Sequence, residues 1–175
     1  MKILIISGTP KDDGLCSSLV RAAAEAGGND CAVVSLAKHK IEGCRTCGDG
    51  WGLCREDRAC VIDDDFNWLK DSLPQYGGFI LVTPVYWGEV SEPMKHFLDR
   101  LRRCEAGNML KGKRFLLVAS AGGSGGGILS CLEQMQRFIS AMGADVFDYI
   151  GVNRRNDSYK REALAKAVKG MLSGL

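Results

Sequence analysis

The 175-residue chain is 46% hydrophobic and 25% charged, a balance that suits one globular domain spanning 1–175 and leaves no room for a second. Its 23 basic and 21 acidic residues are well mixed and leave a formal charge of +2, so nucleic-acid binding has no basic patch to rest on; the one local bias is "RLRRC" at 100–104. The apolar run "KILIISG" after Met1 is too short for a secretory segment, and no later stretch reaches the length of a membrane helix, so a soluble, cytoplasmic protein is expected.

The first predicted strand is "KILIIS" (2–7), and the loop after it reads "SGTPKDDGLCSSL" before a helix over 16–27. Hydroxyls, glycines and a helix start form the ingredients of a phosphate cradle, because free amides and the positive end of the helix dipole attract an anion. An ordinary capped turn is the alternative, and Asp12 and Asp13 count toward it because carboxylates repel a phosphate. A second strand, "AVVSL" (32–36), leads into a loop over 40–64 that holds four of the eight cysteines, Cys44, Cys47, Cys54 and Cys60. Cytosolic thiols are kept reduced, so such a cluster reads as metal-binding or redox-active instead of disulfide-bonded. The other four, Cys16, Cys31, Cys104 and Cys131, are isolated in sequence and read as small buried hydrophobes.

A helix over 65–73, capped by Asp64 or Asp65 and stopped by Pro74, precedes the third strand, "FILVT" (79–83). The loop that follows, "TPVYWGEVSEP", carries Tyr86 and Trp87 at its tip, where they suit a flat apolar ligand, a partner surface or a folded-back cap equally. Ser91, Glu92 and Pro93 open the next helix, 92–104. The segment "GNMLKGKR" (107–114) mimics half of a phosphate loop but has Arg114 where Ser or Thr is required and precedes its strand. After the fourth strand, "RFLLVA" (114–119), comes "SAGGSGGG", a run so poor in side chains that it suits backbone amides laid against a ligand, or a mobile linker. A helix over 128–142 closed by Gly143, a strand over 146–150 and a helix over 157–172, capped by Asp157 or Ser158, complete the chain.

The five strands are continuously apolar instead of alternating, as in strands covered on both faces, and they alternate with helices throughout. The expected architecture is therefore three-layer α/β, a doubly wound five-stranded parallel sheet of order 2-1-3-4-5. In that topology ligands bind beyond the carboxyl ends of the strands, where the loops after strands 1, 3 and 4 meet. A phosphate cradle, an aromatic wall and a glycine shelf in those loops describe a mononucleotide with a planar ring, for which FMN is the natural candidate. With two poorly placed histidines, His39 and His96, and no Ser/His/Asp arrangement, hydrolytic chemistry finds no support.

At "SGTPKDDGLCSSL", "TPVYWGEVSEPMKHFLDRL" and "SAGGSGGG" the chain resembles the NADPH-dependent FMN reductases of the flavodoxin-like superfamily, and its four-cysteine loop is similar to that of the iron-sulfur flavoproteins. The resemblance implies a flavodoxin-like sheet, non-covalent FMN and association as homodimers or homotetramers. By position it implies Thr9, Lys11, Cys16 and Ser17 around the phosphate, with Ser18 or backbone as a further donor. It implies Pro84, Val85, Tyr86, Trp87 and Gly88 along the isoalloxazine, and Ser120, Gly122 and Gly123 at its other edge. The family usually has Asn-Thr where this chain has Leu15 and Cys16. The cysteine spacing, Cys44-x2-Cys47-x6-Cys54-x5-Cys60, also departs from the family pattern of three cysteines two apart, so an iron-sulfur cluster, no metal and zinc all stay open. Trp51, in the insert "GDGWGL", is a candidate to pack over the flavin or a partner subunit. The implied activity is electron transfer from NAD(P)H through FMN to a quinone, nitro or azo compound, metal ion or iron-sulfur acceptor. The rival is a flavodoxin-like electron carrier that does not oxidise NAD(P)H, against which the +2 charge weighs because such carriers are usually acidic.

Overall fold

A computed structural model describes residues 1–48, 50, 54–104 and 108–174. Five strands, β1 (Ile3–Ser7), β2 (Cys31–Ser35), β3 (Gly78–Pro84), β4 (Arg114–Ala121) and β5 (Asp145–Asn153), form one parallel sheet in the order β2-β1-β3-β4-β5. The helices are α1 (Leu15–Gly27), a single turn α2 (Cys54–Asp57) inside the cysteine loop, α3 (Asp65–Ser72), α4 (Glu92–Cys104), α5 (Ile128–Ala141) and α6 (Asp157–Ser173). Among the described residues no helix is long and apolar enough to cross a membrane.

The unbroken apolar strands make sense face by face, because successive side chains of a strand point to opposite sides. Ile3, Ile5, Ile80, Val82, Leu116 and Val118 pack with Leu19 and Ala23 of α1 and Leu164, Val168 and Met171 of α6. Leu4, Ile6, Phe79, Leu81, Phe115 and Leu117 pack with Phe66 and Leu69 of α3, Met94, Phe97 and Leu98 of α4, and Met135 and Ile139 of α5. Asp64 caps α3 by accepting the Phe66 amide at 3.1 Å, and Pro74 follows within a 3₁₀ turn, Leu73–Gln75. The cap position of α6 falls on Asn156 and not on the expected Asp157 or Ser158, and the Asp157 carboxylate pairs with Arg161 at 2.8 Å.

The winding reverses between β1 and β3, which stand next to each other in register from Ile3 against Gly78 to Ser7 against Val82. The loops after β1, β3 and β4 therefore rise together at one end of the sheet, and the cysteine loop after β2 rises at the same end.

Candidate functional site

Two main-chain hydrogen bonds and one from the Ser91 hydroxyl lock the three crest loops to one another. The Gly8 amide donates to Val82 O at 2.8 Å, Ser91 Oγ donates to Gly8 O at 2.6 Å, and the Val85 amide donates to Ser120 O at 2.8 Å. Cys16 sits beneath this junction, 7% exposed. Burial pushes its thiol up to about 11 despite the opposing hydrogen bonds of Ser120 and Thr9. Thr9, Cys16 and Ser120, predicted from three separate stretches, thus touch.

The helix start behind them has no side-chain cap: Gly14 occupies the cap position at φ 92°, so the first amides of α1 face the loop without a side-chain acceptor. A hollow of about 180 Å³ lies alongside, walled by Thr9, Lys11 and Ser17 together with Arg21 and Lys38. Asp12 lines the same hollow and pairs there with Lys38 at 2.7 Å, so its charge is offset by that lysine and stays at the site. The Ser17 hydroxyl donates to Lys11 O at 2.6 Å, while that of Ser18 donates to Leu15 O at 2.7 Å and accepts from Arg161 at 2.6 Å. Ser18 is therefore tied to α6 and not to the loop.

Tyr86 and Glu89 exchange two main-chain hydrogen bonds, each 3.0 Å, around Trp87 at φ 53° and Gly88 at φ 85°. Two successive positive φ values are the signature of a type I′ turn, and a tryptophan in the first is unusual. Its ring lies wholly in solvent and stands between two grooves, one of about 310 Å³ with Ser130, Gln134 and Arg137, the other of about 460 Å³ with Glu92, Lys95 and His96. The glycine loop presses on this turn from behind. A Cβ on Gly127 would sit 2.7 Å from Gly88 Cα, so backbone meets backbone there. At Gly122 and Gly123 the opposite holds, since a Cβ would meet nothing within 4 Å.

The cysteine loop lines a second, partly enclosed hollow of about 20 Å³. Cys44, Cys47, Cys54 and Cys60 all line it, and so does Cys104 from the end of α4. Cys104 is thus no isolated core thiol: burial, then the charges at Cys54 and Cys60, push it up to about 12. Cys16 and Cys131 are buried as expected, and Cys31 is half-buried. Among the described residues no three His, Cys, Asp or Glu side chains stand close enough to bind one metal ion. Trp51 lies outside the described residues.

Helices α3 and α4 pin this loop. Asn67 accepts from the Cys60 amide at 3.3 Å and donates to Cys60 O at 3.1 Å, and Lys70 donates to Arg58 O at 2.6 Å. From α4, His96 Nδ1 lies 3.2 Å from Ile41 O, and Arg103 donates to Gly50 O. Arg100 donates to both carboxylate oxygens of Asp64, at 2.6 and 2.8 Å, and to Glu42 O at 3.1 Å. Burial works against both charges of this pair. The Asp64 hydrogen bonds prevail and, with Cys60, raise Arg100, while Arg100 and the amides of Glu42 and Phe66 hold the Asp64 carboxyl below its ordinary range.

The family model for NADPH-dependent FMN reductases matches residues 1–157. The chain belongs to that family. Among the relatives of this FMN reductase family member, an iron-sulfur flavoprotein of Methanocaldococcus jannaschii is 33% identical over 79% of this chain and 71% of its own length. An iron-sulfur flavoprotein of Methanosarcina thermophila is 30% identical over 73% of this chain and 66% of its own, so the chain spans about two thirds of the relatives' length. An NAD(P)H:quinone oxidoreductase from Methanothermobacter marburgensis shares the fold at a TM-score of 0.72 and 16% identity, over 97% of this chain and 94% of that one.

For this FMN reductase family member, the residues that sequence reasoning missed are those whose partners lie far along the chain. Cys104 approaches Cys60 across 44 positions, and Arg100 meets Asp64 across 36. Arg161 reaches Ser18 from beyond the matched residues. A clue to Arg100 was present, since it follows Phe97 of the buried stripe by three positions and so falls on the same face of α4.

Proposed function

We propose that the chain binds FMN at the crest and passes electrons from NAD(P)H to a quinone, nitro or azo compound, metal ion or iron-sulfur acceptor. The observation that carries this reading is the bare shelf. Gly122 and Gly123 have neither a crowded Cβ position nor a positive φ, so the protein's own packing does not demand glycine there, whereas a flat ring laid against backbone would. Family membership supports the same reading.

The uncapped amides of α1 with Thr9, Lys11, Cys16 and Ser17 would hold the phosphate end, and Ser18 would join them only on leaving Leu15 O and Arg161. Those amides are ready as they stand, whereas Ser17 has to release Lys11 O before its hydroxyl can donate outward. Pro84, Val85, Tyr86, Trp87 and Gly88 would line the ring, with Ser120, Gly122 and Gly123 along the other edge. Bound there, FMN would supply the two-electron chemistry that no side chain at the crest can perform. The fully exposed Trp87 fits association into a homodimer or homotetramer.

At the second hollow, Cys44, Cys47, Cys54 and Cys60 would hold an iron-sulfur cluster. Soft thiol donors beside a buried cation suit such a group, and the loop must draw its sulfurs closer to complete the ligation. One measurement tests both halves: an anaerobic absorbance spectrum with iron and sulfide analysis, before and after NADPH. Flavin bands that bleach on NADPH, with iron and sulfide present, are expected. Flavin inert to NADH and NADPH would instead indicate an electron carrier, and a colourless protein that ignores FMN in titration would overturn the proposal.

A further inference from the structure

We propose that Arg154 and Arg155, with the ring of Tyr159, form a recognition corner for the adenosine 2′-phosphate of NADPH and so select the phosphorylated nicotinamide nucleotide as electron donor. This inference rests on the reading of the crest as the place where NAD(P)H reduces FMN.

The corner begins where β5 ends. Strands β4 and β5 stay in register up to Ala121 against Asn153, so Arg154 and Arg155 leave the sheet beside Gly122 and Gly123, the shelf assigned to the flavin ring. Neighbouring strands lie only about 4.8 Å apart, which sets these arginines at the border of the crest. Asn153 fastens the two loops together: its Nδ2 donates to Ser124 O at 3.4 Å, and a Cβ on Gly125 would sit 2.7 Å from that nitrogen.

Two asparagines build the turn that carries the arginines. Asn153 Oδ1 accepts the amides of Arg155 at 2.8 Å and Asn156 at 3.2 Å, while Asn156 Oδ1 accepts the Asn153 amide at 2.7 Å and its Nδ2 donates to Gly151 O at 3.4 Å. These bonds fix the main chain and leave the guanidiniums outside. Both arginines are exposed, and among the described residues neither side chain meets a carboxylate or carbonyl. The neighbouring carboxylate, Asp157, is engaged by Arg161 at 2.8 Å. Other surface arginines are neutralised, Arg45 by Glu42 and Arg137 by Glu133. Tyr159, in the first turn of α6, adds a ring that is 58% exposed.

The chemistry of the corner has two parts. A guanidinium keeps its charge in a protein and presents paired donors that match the oxygens of a phosphate, so two adjacent arginines suit a phosphate monoester. An exposed tyrosine offers a flat face on which a purine can stack. Inorganic phosphate would need only the arginines, whereas an adenosine that bears a phosphate uses both. The 2′-phosphate is also the group that distinguishes NADPH from NADH, and it lies at the end of the dinucleotide away from the nicotinamide, which leaves the nicotinamide free to reach the flavin.

The test is calorimetric titration of the full chain, loaded with FMN, with adenosine 2′,5′-bisphosphate and with adenosine 5′-phosphate. Wild type should bind the bisphosphate about tenfold tighter or more, and the double variant Arg154→Ala with Arg155→Ala should erase that difference. Tyr159→Ala should weaken both nucleotides alike. The ratio of kcat/KM for NADPH to that for NADH should fall about tenfold in the double variant. Equal binding of the two nucleotides by wild type, or a preference that survives loss of both arginines, overturns the inference. So does an equal loss in Lys166→Ala with Lys169→Ala, which removes the same charge from exposed positions farther along α6. Failure of the underlying reading shows elsewhere, as bound flavin that neither NADPH nor NADH bleaches, whatever the calorimetry gives.

Discussion

Asp64 and Arg100 bury both their side chains, at 0% and 1% exposure, whereas every other ion pair of the described residues keeps at least one partner partly in solvent. Removing one partner of such a pair strands the other. Asp64→Ala is therefore expected to cost about 3–5 kcal/mol in urea unfolding. The pH dependence has a definite sign. The Asp64 carboxyl is held below its unfolded value of about 3.9, so its contribution is present above roughly pH 4 and fades as acid takes the pH down through the folded value. Urea midpoints of wild type and Asp64→Asn should accordingly converge below that pH. Gly122 permits a cleaner separation of binding from folding. Because its Cβ position faces open space, Gly122→Val should leave stability within about 0.5 kcal/mol yet weaken FMN binding about tenfold or more, as read by flavin fluorescence titration. Asp64 was legible in sequence as a helix cap, but its second role was not. The basic run containing Arg100 reads as surface until the fold turns that one side chain inward.

At the level of elements, the sequence was most transparent where physics is local. Continuous β-branched and aromatic runs had to be strands covered on both sides, and punctuation such as Asp64, Pro74 and Gly143 fell where helices begin and end. What could not be read was contact between loops. Nothing near "SAGGSGGG" announces that Gly127 abuts Gly88, an approach that leaves no room for a side chain at Gly127, whose φ is positive as well. Gly127→Ala should therefore destabilise the chain by roughly 1–3 kcal/mol in chemical denaturation, unlike the change at Gly122. The single turn α2 escaped for a related reason: four residues inside a glycine-laced loop carry no periodicity to detect. Cys104 was misread as isolated because its neighbours in space are not its neighbours in sequence.

Across the whole molecule, fold class and strand order were legible because right-handed crossovers leave few ways to arrange five parallel strands. The crest was legible too, since that topology names the loops that must converge. Its relation to the cysteine hollow was not, and α4 supplies it. Glu92, Lys95 and His96 form one wall of the groove beside Trp87, while His96, Arg100, Arg103 and Cys104 hold or line the cysteine segment. A thirteen-residue rod thus serves as a common keel for two chambers. A tilt of that keel would therefore reshape both chambers at once.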